Sequence, residues 1–87
     1  MWLQISKTEP AIHPSEVIAT INTTVGEEMI IIDKDSVFDS LLEVGEPIAN
    51  GGDSVLIELP RETMKGLWRI RVPKDALSPS RSEAATA

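Results

Sequence analysis

One segment determines the predicted architecture: residues 54–73, which read SVLIELPRETMKGLWRIRVP. Apolar and polar side chains alternate on both sides of the loop Arg61–Gly66, a pattern typical of an antiparallel β-hairpin. We therefore predict that Ser54–Pro60 pairs with Leu67–Pro73. The predicted register places three pairs on the core face: Leu59 with Trp68, Ile57 with Ile70, and Val55 with Val72. On the other face it places Glu58 opposite Arg69 and Leu56 opposite Arg71. A one-residue slip would turn an arginine towards the core, which makes this register specific.

A second hairpin is predicted nearer the N-terminus. Glu16–Thr24 is rich in β-branched residues, which favour strands. Glu28–Asp33 contains four consecutive apolar residues, the pattern of a central strand covered on both faces. A tight turn at residues 25–26 would place Ile21 opposite Ile30 and Ala19 opposite Ile32. A short first strand is predicted at Trp2–Ser6.

Between the two predicted hairpins, the spacing of the apolar residues changes from every second residue to every fourth. Two pairs of apolar residues are spaced four apart, Val37 with Leu41 and Phe38 with Leu42, which is the spacing of one face of an α-helix. Gly45 suits the position that follows a helix. We predict a helix over residues 36–44 that docks on the sheet through Phe38, because so short a helix is marginal by itself.

The predicted fold class is α+β, in the order β-β-β-α-β-β: a mostly antiparallel sheet of four or five strands with one short helix. A small β-barrel with the helix as a plug is the alternative. The 87 residues of the chain are enough for one hydrophobic core. We assign residues 1–77 to a single α+β domain, and residues 78–87, composed mainly of Ser, Ala, Thr and Pro, to a flexible C-terminal tail.

Composition and charge restrict the class of protein. The sequence has no Cys, so it offers neither a disulfide nor a thiolate metal site. The first residues lack the pattern of a signal peptide and no apolar run reaches the length of a membrane span, so we predict a soluble, cytoplasmic protein. The net charge is −6, and residues 27–46 hold seven acids and one base. This asymmetry bears on the choice of partner rather than on the fold.

Motifs for catalysis and metal binding are weak in this sequence. His13 is the only histidine, and residues 33–35 resemble the start of a calcium-binding loop but lack its glycine and its final acid. Residues 51–52 are glycines without the lysine of a phosphate-binding loop. We predict no cofactor, no metal and no catalytic activity. The alternative, a carboxylate-based enzyme, requires a concave site that gathers at least two of five acids: Asp33, Asp35, Asp39, Glu43 and Glu46.

Nucleic-acid binding through the C-terminal hairpin is another alternative function. Arg69 and Arg71 share one strand face and Lys74 follows them, and basic sheet faces can hold phosphates. However, Trp68 is expected on the opposite, buried face, and Glu58 offsets the charge of Arg69. Because the whole chain is negatively charged, we predict that nucleic acid is not its main partner.

Surplus apolar surface favours a protein partner. Residues 29–32 require cover on both faces, and one short helix can cover only one of them. We therefore predict a small acidic protein-interaction module, an adaptor, inhibitor or regulator, that forms a homodimer. Its predicted contact residues are Ile18, Leu56, Arg69, Arg71, Asp35, Asp39 and Glu43. In a sharper form of this hypothesis, the acidic stretch mimics nucleic acid and occupies a basic partner.

Overall fold

Three small antiparallel sheets make up the fold of residues 1–79, the part of the chain that the computed structural model describes. The strands are β1 (Trp2–Gln4), β2 (Lys7–Pro10), β3 (Glu16–Thr23), β4 (Gly26–Asp33), β5 (Val37–Phe38), β6 (Leu41–Glu43), β7 (Ala49–Gly51), β8 (Ser54–Glu58), β9 (Arg69–Pro73) and β10 (Leu77–Ser78). The first sheet has the order β10-β1-β6-β5, the second β2-β3-β4 and the third β7-β8-β9. Two short 3-10 turns, Lys34–Ser36 and Lys74–Ala76, precede β5 and β10.

The C-terminal hairpin, β8 with β9, has the predicted register. The ladder pairs Val55 with Val72, Ile57 with Ile70, Leu56 with Arg71, and Glu58 with Arg69. Its core-facing valines and isoleucines are at most 4% exposed. The alternating pattern of residues 54–73 therefore identified both the hairpin and its buried face.

The position of Trp68 differs from the prediction, because its side chain is 52% exposed and does not face the core. β9 begins at Arg69, so Trp68 lies beyond the last pair of the ladder. Its backbone is still held there, since the N–H of Leu59 donates to the carbonyl oxygen of Trp68 at 2.8 Å. Leu59 continues the buried face, whereas the indole ring extends past its edge.

The N-terminal hairpin, β3 with β4, forms with a register two residues away from the predicted one. Ala19 lies opposite Ile30 and Val17 opposite Ile32, while Ile21 faces Glu28. The loop is residues 24–25, with Gly26 as the first residue of β4 at φ +131°. A shift of two residues keeps each side chain on its predicted face.

The expectation that residues 29–32 are covered on both faces is wrong. Ile30 and Ile32 are buried, but Met29 on the other face is 44% exposed. β4 is an edge strand, and its free edge meets the loop between β8 and β9, where the N–H of Met64 donates to the carbonyl oxygen of Met29 at 2.8 Å. A loop of the same chain therefore caps this edge, while Met29 on the outer face stays partly exposed.

The predicted helix over residues 36–44 is also wrong, and with it the α+β fold class: the described chain is all-β. The 3-10 turn Lys34–Ser36 leads instead into a tight hairpin in which β5 pairs with β6. Asp39 and Ser40 at its tip have φ of 50° and 64°, left-handed values that an α-helix excludes. Phe38, the predicted anchor, is 48% exposed.

The two halves of the chain repeat the same succession of elements, β1–β5 and then β6–β10. In each half a three-stranded sheet runs into a 3-10 turn that starts with a lysine, Lys34 or Lys74. The N–H of Lys34 donates to the carbonyl of Ser15 at 2.9 Å, and the N–H of Lys74 donates to that of Asp53 at 2.8 Å. Both acceptors directly precede a strand, β3 or β8, so the repeat extends to individual hydrogen bonds.

The halves exchange their last strands in the first sheet. β5 of the first half pairs with β6 of the second, and β10 of the second half pairs with β1 of the first. At the centre, β1 and β6 pair antiparallel with Leu3 opposite Leu42. The pattern is unchanged when the halves are interchanged, so an approximate two-fold axis relates them.

Equivalent positions of the two halves fill one hydrophobic core. The core contains the pairs Leu3 and Leu42, Ile5 and Val44, Ala19 and Ile57, Ile21 and Leu59, Ile30 and Ile70, and Ile32 and Val72. Ser78 ends β10, and the rest of the predicted tail, residues 80–87 in particular, lies outside the described residues. Within residues 1–79, no helix has the length and apolar character needed to cross a membrane.

Candidate functional site

The seven residues predicted to contact a partner lie on different parts of the molecule. Ile18 is half-buried on β3 of the second sheet. Leu56, also half-buried, lies on the third sheet beside the exposed Arg69 and Arg71. Exposed acids occupy the region of the β5–β6 hairpin: Asp35, Asp39 and Glu43. The structure brings Asp35 and Glu43 together in one cleft, which Asp39 does not line.

The basic side chains of the C-terminal hairpin already bind groups of the same chain. Arg69 Nη2 lies 3.5 Å from Glu58 Oε2, and Arg71 Nη1 donates to Ser54 Oγ at 3.3 Å. The Arg71 guanidinium also lies against Gly51, where a Cβ atom would come within 2.6 Å of Nη1. The missing side chain of Gly51 therefore leaves room for the Arg71 guanidinium beside Ser54, where it is already hydrogen-bonded.

A cleft beside the β5–β6 hairpin combines aromatic and acidic side chains. It has a volume of about 330 Å³ and is lined by Trp2, Asp35, Ser36, Phe38, Leu42, Glu43 and Pro60. We call it the aromatic cleft. Trp2 on β1 lies directly opposite Glu43 on β6, so the two side chains share one face of the sheet.

The two rings of the aromatic cleft form a corner. The ring centroids of Trp2 and Phe38 are 6.5 Å apart and their planes meet at 79°, an edge-to-face arrangement. Phe38 is 48% exposed, although Leu41, its partner across the ladder, is 3% exposed. The corner therefore presents aromatic surface to solvent above a buried residue.

A second concave surface adjoins the aromatic cleft and is more acidic. It has a volume of about 610 Å³ and is lined by Glu43, Val44, Gly45, Glu46, Ile48, Glu58, Leu59 and Pro60. We call it the acidic groove. Glu43 and Pro60 line both surfaces, so the aromatic cleft and the acidic groove are continuous. None of the residues lining either surface is basic.

Three carboxylates of this joint surface have no ion pair within residues 1–79: Asp35, Glu43 and Glu46. The fourth, Glu58, is the partner of Arg69. The other ion pairs of the described chain hold Glu9, Glu16 and Glu28. The joint surface thus carries four carboxylates, and three of them have no cation partner among the described residues.

The repeat of the fold gives the aromatic cleft a counterpart in the other half. A cleft of about 300 Å³ is lined there by Gln4, Ser6, Asn22, Pro73, Asp75 and Ala76. Asp75 stands in the place of Asp35, since both lie in the middle of a lysine-led 3-10 turn. Gln4 ends β1 as Glu43 ends β6. The counterpart has one carboxylate and no aromatic ring, and the equivalents of Trp2 and Phe38, Leu41 and Ser78, do not line it.

The aromatic cleft carries two carboxylates and no basic residue. It meets the minimum set for the carboxylate enzyme, because it gathers Asp35 and Glu43, but both acids are exposed. Acid–base catalysis relies on carboxyl groups set apart by different environments. Among residues 1–79 no group of three or more His, Cys, Asp or Glu side chains is placed to hold a metal ion. His13, in the β2–β3 loop, contacts Ser15 Oγ through Nδ1 at 2.6 Å.

Sequence reasoning missed Trp2, Phe38 and Pro60 as site residues. Phe38 was assigned to a helix face and therefore to the core. A hairpin turn at Asp39 and Ser40 would have placed Phe38 opposite Leu41 on a strand, but neither residue is the Gly or Asn that usually marks such a turn.

Compared with models of known protein families, with curated proteins and with solved structures, the chain shows no significant match.

Proposed function

We propose that this protein is a non-catalytic interaction module that binds a basic segment of another protein in the acidic groove. The observation that carries the proposal is the continuous concave surface lined by Asp35, Glu43, Glu46 and Glu58 without a basic residue. Acids on a concave, partly apolar wall concentrate the negative field and attract a cationic partner. A net charge of −6 adds long-range attraction of the same sign.

The apolar part of the acidic groove supports binding of a polypeptide. Ile48 is 45% exposed, and Pro60 lies where the groove meets the aromatic cleft. Long basic side chains carry apolar stems that can cover such residues while their charged ends reach the carboxylates. The surface is thus suited to an extended segment with several Lys or Arg residues.

The first experiment is an NMR titration of the ¹⁵N-labelled full chain with a capped peptide of alternating lysine and serine. We expect amide shifts concentrated in residues 35–48 and 58–60, with affinity falling as salt is added. Glu46→Gln is expected to weaken binding. The control Glu27→Gln removes an exposed acid outside both surfaces and is expected to leave binding unchanged. Shifts spread evenly over all exposed acids, or no saturable binding at low salt, would refute the proposal.

Homodimer formation remains a separate prediction. β5 and β10 each pair with a strand of the other half of the same chain. In a symmetric dimer, such contacts join two subunits, whereas here they join two halves of one chain. The acidic groove is complete within a single chain, so peptide binding does not depend on a second copy. Light scattering decides the point: twice the mass of the chain supports the dimer, and the mass of one chain contradicts it.

A further inference from the structure

We infer that the partner segment binds in the acidic groove as an added β-strand whose backbone pairs with Glu58. This inference rests on the proposed function and adds the conformation and the register of the bound segment. A gap in the third sheet carries it, and the comparison of the two halves reveals that gap.

The ladder beside β8 is shorter than its equivalent in the first half. β2 pairs with β3 as far as Thr20, which follows the core residue Ala19. The equivalent core residue in the second half is Ile57, so the position equivalent to Thr20 is Glu58. β7, however, pairs with β8 only as far as Leu56. The second half therefore lacks the strand residues that would pair with Glu58 on this side.

The backbone of Glu58 faces this gap. The carbonyl of Leu56 accepts from the N–H of Ile48 on the β7 side of the strand, and the N–H of Leu59 donates to Trp68 on the β9 side. Because backbone groups of successive residues alternate between the two sides, the N–H and carbonyl of Glu58 point to the β7 side. Within residues 1–79, no backbone group pairs with them there.

Residues 45–47 account for the gap. In the first half, Ser6 directly follows a buried core residue, and its N–H donates to the carbonyl of Thr20 at 2.9 Å. In the second half, the three residues 45–47 separate the equivalent core residue from Ile48, the next residue that bonds to β8. These three residues pass around the gap, and Gly45 and Glu46 line the acidic groove.

The size and charge of the groove fit one extended basic segment. A residue in a sheet occupies about 160 Å³, the product of strand rise, strand spacing and sheet thickness, so about 610 Å³ holds three to four residues. The residue opposite Glu58 has its side chain on the same face as the Glu58 carboxylate, which is 57% exposed. A lysine there forms an opposite-charge pair. Pro60 has no N–H, so the added strand has its full pair of hydrogen bonds only at Glu58.

Backbone methylation of the peptide tests this arrangement. Two versions of the lysine–serine peptide are compared by calorimetry at fixed salt, one N-methylated at every lysine and the other at every serine, so that their charges are equal. In an added strand, the lysine opposite Glu58 directs its N–H to the protein and the neighbouring serines direct theirs away. We expect the lysine-methylated peptide to bind about 2- to 13-fold more weakly than the serine-methylated one, the loss of one hydrogen bond. Equal affinities, or weaker binding of the serine-methylated peptide, would overturn the inference.

Amide exchange with water, measured by NMR on the ¹⁵N-labelled full chain, supplies the second readout. When about nine-tenths of the protein is bound to the unmethylated peptide, exchange at Glu58 should be about 10-fold slower, because it proceeds from the free fraction. The amide of Glu27, on the edge strand β4 and outside both surfaces, is the control and should be unaffected. An unchanged rate at Glu58 would also overturn the inference.

The outcomes separate this inference from the proposed function. If the unmethylated peptide binds and shifts the amides of the acidic groove, but methylation acts equally at both residue types, the added strand is overturned and the interaction module stands. If the unmethylated peptide does not bind the native chain, both proposals fail together.

Discussion

Truncation of the central leucine pair tests the duplicated fold most directly. Leu3 and Leu42 lie opposite each other across β1 and β6 and are 0% and 1% exposed. Leu3 also pairs with Leu77, and Leu42 with Val37, which are equivalent neighbours in the two halves. Leu3→Ala and Leu42→Ala are therefore expected to have similar effects on stability.

The magnitude follows from complete burial. Truncating a buried leucine to alanine costs about 2–5 kcal/mol, the sum of lost transfer free energy and the cavity left behind. A domain of this size has a free energy of unfolding of about 5–15 kcal/mol, so a single loss from the lower half of the expected range leaves the variant folded. The double variant should lose less than the sum by about 0.5–3 kcal/mol, because both truncations open into the same space.

Urea unfolding followed by circular dichroism measures these losses. With a slope of about 1 kcal/mol per molar urea, each single variant should lower the midpoint by roughly 2–5 M. Leu67→Ala is the control, because this loop residue is 44% exposed and should change stability by less than about 1 kcal/mol. A loss below about 1 kcal/mol at Leu3 or Leu42, or strict additivity in the double variant, would contradict the shared core at the two-fold axis.

Three further substitutions test single features by the same unfolding assay. Trp68→Ala should cost about 1 kcal/mol and Ile70→Ala about 2–5 kcal/mol, since only Ile70 is buried; equal losses would contradict the exposed position of Trp68. Ser40→Gly should raise stability by up to about 1 kcal/mol by relieving a φ of 64°, and a decrease would refute the left-handed turn. Lys65→Ala should cost less than about 1 kcal/mol and less at high salt, because Lys65 is 72% exposed although its partner Glu28 is buried; a salt-independent loss above about 2 kcal/mol would be inconsistent with this view.

The sequence predicted correctly those parts of the fold in which the local pattern of apolar and charged residues is compatible with one arrangement of the strands. On β8 and β9 the apolar residues alternate with Glu58, Arg69 and Arg71, so a slip of one residue puts a charge in the core. On β4 the apolar residues are consecutive, so the sequence of β4 alone does not show which of them face the core. There the face of each residue was predicted correctly, but the register depended on the turn and was wrong by two residues.

The β5–β6 hairpin could not be deduced from local pattern. Residues at positions i and i+4 share a helix face, but the same four apolar residues also form the cross-strand pairs Val37–Leu42 and Phe38–Leu41 of a two-residue hairpin. Pairing with a strand that is distant in sequence decides between the helix and the hairpin. β6 adds to β1, far away in sequence, and the buried Leu42 gains partners on both sides. The site depended on this hairpin, so Phe38 was missed with it.

The repeat left a weak signal in the sequence. Lys34 and Asp35 recur as Lys74 and Asp75, each time directly after a strand and at the start of a 3-10 turn. Elsewhere the halves agree only in where apolar residues lie, because burial requires apolar character at equivalent positions rather than identity. The hydrogen bonds and the buried positions reveal this repeat first. The equivalent residues can then be recognised in the sequence.

Comparison of the two halves separates side chains that the fold requires from those it does not. Equivalent buried positions are apolar in both halves, as the shared core demands. The aromatic cleft and its counterpart differ at Trp2, Phe38 and Glu43, all of which reach solvent. Loss of the aromatic pair should cost about 0.5–1.5 kcal/mol of stability, far less than loss of a core leucine. Exchange of the three residues for their counterparts should therefore leave a folded protein, because the equivalent core positions of the two halves stay unchanged.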